Sequence, residues 1–427
     1  MASTTKFIDK SPKNKDIKSV FILIASSLFF ISTSYYFLNP GSLYIVPSNF
    51  SKLDLYYSDN INSRKFCDCV TVYENSIIQS EIRYRGSSIL NYEKKDYRIQ
   101  LSRKESLFGM RNDDDWQLFG CYLDFTRMRV KLSMDLWRSL KETDSTAILP
   151  KTEYIALYKN DKFQGLYLLG ERTDRKLFDL EKTIKGINSS LIFQAKTETN
   201  FKKYIKDCWE QDWPNKKDGN IIDQILPKLI NYVVLTDDNE FFDPENGIFS
   251  KFDKLNLIDY YIYNFFIDHK DCWEKNYFLV RHENPSKFYF VPWDFEGSLG
   301  QWGWIKYDSD DNPDSEIRNS HFLWNRLLNN TEFMKDCKNR WYELREKLWT
   351  EESILNMFFD EYSIIKELIK IDTDMWKPIT VDEKPKQRWP YMYKYSTKEF
   401  DLEEYISYLI KWIPERLTYC DSHFSKF

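Results

Sequence analysis

Three oxygen-bearing side chains, Asp271, Asn276 and Asp294, stand at spacings suited to phosphoryl transfer. The first two lie in His269-Lys270-Asp271-Cys272-Trp273-Glu274-Lys275-Asn276, the third in Pro292-Trp293-Asp294-Phe295-Glu296-Gly297. Phosphoryl transfer needs little covalent help from a protein; it needs positioning, and divalent metal to offset phosphate charge. Mg²⁺ is a hard cation that takes one or two carboxylates together with phosphate oxygens and water. Asn276 and Asp294 supply such oxygens, and Asp271 is the candidate base that orients an acceptor hydroxyl. Glu296 either adds a second carboxylate at the metal or faces water. Taken singly, Asp and Asn are ordinary turn and cap residues.

The segments between them decide in favour of a joint role. Residues 277–281 (YFLVR) and 287–291 (KFYFV) read as short strands, and 282–286 (HENPS) as the turn joining them. Such a hairpin returns the chain to its starting point, so both polar groups face one cleft. An Asp, an Asn five residues on and a later Asp-Phe is also the order of a protein-kinase site. There is, however, no G-x-G-x-x-G loop ahead of the lysines and no Ala-Pro-Glu after Asp294.

A basic hairpin precedes these motifs, with Arg85, Lys94, Lys95 and Arg98. Strand alternation puts Lys95 with Tyr97 and Ile99 on one face, and Lys94 with Asp96 and Arg98 on the other. Lys95 is the first choice to face nucleotide phosphates, with Glu171 as its candidate partner; a solvated basic hairpin is the competing reading. Arg129 either reaches the phosphates or only snorkels from an amphipathic helix.

Around these groups, the chain of 427 residues begins β-rich and ends helical. Residues 82–86, 96–101, 154–159 and 165–171 read as strands, with Asn160-Asp161 as a turn. Residues 123–140 have helical spacing, 183–253 look like a polar insertion, and 255–267 form a helix that runs into the Asp271 segment. Residues 322–348 and 352–371 are helical in pattern. The expected fold is α+β: an atypical protein-kinase-like two-lobed body with a β-rich N-lobe and a helical C-lobe. A net charge of -5 gives no general footprint for nucleic acid.

The N-terminus differs in kind. Five lysines in residues 1–18 precede the uncharged stretch 19–37. About 20 apolar residues span a bilayer, and flanking lysines favour the cytoplasmic side. The expected plan is a cytoplasmic tail over 1–18, a transmembrane signal anchor over 19–38, a juxtamembrane linker over 39–63 and a catalytic domain over 64–427. That domain would then lie in a lumen, a periplasm or the cell exterior. A cleaved signal peptide ending near Ser32-Thr33-Ser34 is the alternative. Seven cysteines suit such a compartment, and their odd number leaves at least one unpaired if only intrachain bridges form.

The sequence also resembles one family, the CotH (spore coat protein H) kinases, in four blocks. These are 84–88 (YRGSS) with 93–99 (EKKDYRI); 124–132, which carries Arg129; 165–171 (GLYLLGE) with the turn before it; and 271–300, which includes PWDFEGSLG. The resemblance covers roughly residues 84–300. It implies an atypical kinase using ATP and Mg²⁺ or Mn²⁺, with Asp271 as catalytic residue and Asp294 as metal ligand. The implied partner is a secreted or surface protein offering a Ser or Thr acceptor. A non-enzymatic surface adhesin on the same scaffold is the alternative, and a transferase acting on a small-molecule hydroxyl is a third reading. The intact set of Asp271, Asn276 and Asp294 favours the enzyme.

Overall fold

In the computed structural model, which describes residues 46–47, 50–58, 61–182, 186–303, 305–378 and 400–427, the alternating segments of the N-terminal half pair into one closed barrel. Its strands are β1 (Lys52–Tyr57), β2 (Cys67–Tyr73), β3 (Ser76–Arg85), β4 (Asp96–Ser106), β5 (Asn112–Phe119), β6 (Thr152–Lys159) and β7 (Lys162–Glu171). Their order around the barrel is β1-β2-β3-β4-β5-β7-β6, closed by parallel pairing of β1 with β6. Alternation fills the interior: Tyr97, Ile99 and Leu101 of β4 meet Ile78, Ile82, Trp116 and Leu157 inside. Asn160 and Asp161, both left-handed (φ 47° and 64°), make the tight β6–β7 turn.

This barrel corrects the expected kinase-like N-lobe. The closing strand β1 lies within residues 39–63, the stretch read as a linker, and its partner β6 is about a hundred residues away in sequence. Local pattern cannot report so distant a pairing. The expected membrane anchor is corrected as well. Among the described residues no helix is long and apolar enough to cross a membrane, and residues 19–37 lie outside the described residues. All seven cysteines are free thiols, and six of them are buried.

A second sheet follows, ordered β11-β10-β8-β9, from β8 (Leu191–Ala195), β9 (Trp209–Trp213), β10 (Tyr277–Arg281) and β11 (Tyr289–Pro292). The stretch 183–253 is therefore no insertion, since β8 sits between β9 and β10. Helices make up the rest: α1 (Arg129–Ser139), α2 (Ile222–Leu235), α3 (Asp238–Phe241), α4 (Lys254–Phe266), α5 (Asp314–Ser320), α6 (Phe322–Leu328), α7 (Thr331–Lys347), α8 (Glu351–Met375) and α9 (Leu402–Phe424). Helix α1 starts six residues later than its spacing predicts. The Asp124 carboxylate accepts from the backbone of Thr126 (3.0 Å) and Arg129 (2.6 Å), a local turn that outcompetes helix. The aromatic residues pack the helical body, as where Tyr260 stacks on Trp324 at 5.4 Å.

One carboxylate joins barrel to helices. Asp372 of α8 accepts from Lys94 Nζ (2.8 and 3.0 Å), Arg127 Nε (2.8 Å) and the Leu166 amide of β7 (2.8 Å). All three charged side chains are fully buried. The fit requires glycine beside it: a Cβ on Gly165 (φ +107°) would stand 2.3 Å from Asp372 Oδ1. Removing one partner of a buried pair leaves an uncompensated charge and costs about 3–5 kcal/mol. Asp372→Ala should therefore lose at least that much stability in urea melts, whereas Asp374→Ala, two residues along the same helix, should lose little.

Candidate active site

Helix α4 delivers the chain to the site. Asp253 caps its start by accepting from the Asn256 amide (2.9 Å). At its end, Arg416 of α9 donates from Nε to the Phe266 carbonyl (3.1 Å), satisfying a C-terminal acceptor and fixing where the next loop begins. That loop carries Asp271. Its Oδ2 lies 2.7 Å from Lys275 Nζ and accepts from Asn276 Nδ2 at 3.4 Å.

The expected hairpin forms, with Tyr277 of β10 opposite Pro292 of β11. The Trp293 amide donates to the Asn276 carbonyl (2.8 Å), so Asn276 and Asp294 sit at the same end of the sheet. Both residues are left-handed, with φ of 58° and 66°, a conformation that Asn and Asp adopt more readily than most residues. The two motifs are also tied directly. Backbone bonds run from Lys270 N to the Gly297 carbonyl (3.1 Å) and from Leu299 N to the Ile267 carbonyl (2.6 Å).

His269, which the sequence reading left without a role, is a third tie. Its Nε2 lies 2.8 Å from the Asp294 carbonyl. A carbonyl only accepts, so the ring carries its proton there. Burial pushes the imidazole pKa down to about 4, leaving it neutral. It is a positioning residue whose only advance signal is its place two residues before Asp271.

Asn276, Asp294, Glu296 and Arg85 open on one cleft of about 580 Å³ between the barrel and the second sheet. Asp96, Gly86, Ser87 and Ser88 line its barrel side, and Phe119 and Trp293 are its aromatic walls. Arg85 is held between Asp96 (3.3 Å) and the Phe119 ring (4.6 Å to the centroid). The Asp96 carboxylate also accepts from the Gly120 amide (2.7 Å).

The other cation candidates sit elsewhere. Lys95 Nζ donates to the Leu90 carbonyl (2.7 Å) and to that of Tyr92. Glu171 accepts from the backbone of Arg111 (2.9 Å) and Lys151 (3.0 Å), so the expected Lys95–Glu171 pair is not made. Lys94 is committed to Asp372. Arg98 pairs with Asp115 (2.8 Å), and Arg129, fully buried, pairs with Asp124 (3.1 Å). None of these five lines the cleft. Arg85 is the member of the basic hairpin that does.

The cleft is electrostatically unsatisfied. Solvent reaches Asp294 through the cleft, while protein surrounds it on its other sides. Desolvation first, then the Asp271 charge, raises its pKa to about 6, against the pull of Arg85 and Lys275. Burial and the Asp294 charge likewise push Glu296 well above the carboxylate range. Carboxylates that crowd one another are relieved by a cation. Among the described residues no three His, Cys, Asp or Glu side chains are grouped to hold a metal unaided.

A cleft with kinase-ordered polar groups, lacking the glycine-rich loop of ordinary kinases, points to the class of atypical kinases. The chain belongs to the CotH kinase protein family, which matches residues 82–420. It is 26% identical over 306 residues to the inner spore coat protein H of Bacillus subtilis (strain 168), covering 68% of this chain and 78% of that protein. Among solved structures it is similar to the Helicobacter pylori proinflammatory kinase CtkA, at 13% identity and a TM-score of 0.30, over 88% of this chain and 98% of that one.

The raised pKa of Asp294 sets a pH dependence. The folded state holds this proton more tightly than the unfolded state between the ordinary value of 3.8 and about 6, so stability falls as pH rises through that window. Metal-free Asp294→Asn should melt higher than wild type at pH 7.5, with the gap narrowing toward pH 4. Mg²⁺ with ATP should close the gap at pH 7.5 by stabilising wild type alone. Scanning fluorimetry checks both, and equal melting at every pH would refute the crowding of charge.

Proposed function

We propose that the chain transfers the γ-phosphoryl group of ATP, with Mg²⁺ or Mn²⁺, to a Ser or Thr hydroxyl of a protein. The observation that carries this reading is the meeting of Asn276 and Asp294 at one end of the hairpin, beside Asp271 and opposite Arg85. Asp271 would accept the hydroxyl proton as the acceptor oxygen bonds to the γ-phosphorus and the bond to ADP breaks. Lys275, paired with Asp271 at 2.7 Å, would put a positive charge beside the transferred group. Arg85 would contact the phosphates from the barrel side. Asn276 and Asp294 would hold the metal, with Glu296 as a further carboxylate; when bound, the metal offsets charge on the phosphate oxygens.

The RGSS segment would stand in for the absent glycine-rich loop. Gly86 has φ +85°, and a Cβ there would come 2.4 Å from Ile89 Cγ2, so only glycine allows Ser87 and Ser88 to turn over the cleft.

The test is transfer of labelled γ-phosphate to the protein itself and to a generic acceptor protein, followed by phosphoamino-acid analysis. Asp271→Ala should lose on the order of 10²-fold or more in rate while still binding nucleotide. Asp294→Ala should lose both transfer and metal-dependent nucleotide binding. Label that persists in both variants would overturn these roles. His269→Gln should lower kcat and raise the KM for ATP with metal, more mildly than Asp294→Ala does, because it acts by positioning Asp294 through its backbone.

A further inference from the structure

Strands β8 and β10 carry a groove at their other end, away from Asn276, of about 440 Å³ between α2 and the β10–β11 turn. Five residues separate Asn276 from Arg281, so the groove and the cleft stand roughly 16 Å apart along the strand.

The charges in the groove are all of one sign. Lys228, Lys251 and Arg281 line it, and no Asp or Glu does. Lys251 Nζ lies over the Tyr232 ring (4.1 Å) and donates to the Asn246 carbonyl (3.1 Å). Arg281 is the decisive residue, being only 7% exposed. Its Nη2 donates to the carbonyls of Ile187 (2.6 Å) and Ser189 (2.9 Å), and its Nε to that of His282 (3.3 Å). Among the described residues no carboxylate pairs with it, and burial alone lowers its pKa to about 10. Proteins bury a guanidinium without a counter-charge at considerable cost. Beside it the groove is apolar: Phe288 lies under the guanidinium (5.2 Å), and Ile187 is 48% exposed.

We propose that this groove docks an acidic segment of a partner protein, one carboxylate against Arg281 and an adjoining bulky apolar side chain against Ile187 and Phe288. Lys228, on the exposed face of α2, adds attraction for neighbouring acidic residues. The proposal stands whether or not the cleft proves to be that of a kinase.

A fluorescein-labelled 4:1 glutamate–tyrosine copolymer is a suitable probe, followed by anisotropy with the full chain. Wild type should bind it saturably. Lys228→Glu and Ile187→Ser, both at exposed positions, should each weaken binding at least tenfold without shifting the melting temperature. Arg281→Gln should abolish binding, with its fold checked by the same melt. Saturating Mg²⁺ and ATP should leave binding unchanged. Wild-type affinity in the Lys228 and Ile187 variants, or displacement by ATP, would overturn the proposal. So would tighter binding of a phosphoserine peptide that lacks acidic and aromatic residues, because the groove would then be reading phosphate.

Discussion

The architecture depends on the Asp372 carboxylate. It is a single negative charge between two buried positive ones, and it also accepts the Leu166 amide of the barrel wall. Burial pushes Lys94 down to about 8, with the Arg127 charge adding to it, even with Asp372 in contact. Such a node contributes less by attraction than by intolerance of separation. Any motion that pulls α8 from the barrel strands two charges in a medium that solvates neither.

With the frame fixed, the site itself is built from backbone. Asn276 and Asp294 take left-handed conformations side by side at the open end of a hairpin, and ties from Lys270, Leu299 and His269 hold together the two loops that enter and leave it. The side chains that crowd negative charge into the cleft are therefore the ones least free to move away from it. Fixed charge of this kind is the preorganisation from which electrostatic catalysis draws most of its effect.

Much of this was legible in the sequence where the signal was local. Strands β10 and β11, the Asn160-Asp161 turn and helix α4 all follow from alternation, turn chemistry and spacing within a dozen residues. The meeting of Asn276 with Asp294 followed from the hairpin alone. What escaped was long-range. Lys94 and Lys95 are neighbours on a polar turn, and nothing nearby tells that one is buried against an aspartate 278 residues later while the other folds back on its own loop. Barrel closure escaped for the same reason, and β8 and β9 because five-residue strands with polar members look like loops. Arg85 shared its basic hairpin with Lys94, Lys95 and Arg98, and what sets it apart on the cleft is its register opposite Asp96, which no local pattern reports.

The 278-residue span between Lys94 and its counter-ion also bears on biogenesis. A ribosome releases the chain from the N-terminus, so all seven barrel strands exist before any of α8 has been made. Until residue 372 emerges, Lys94 and Arg127 have no α8 carboxylate to meet them. The contact that buries both is therefore completed late in synthesis, and cutting the chain between the barrel and α8 would take away the one anion they share.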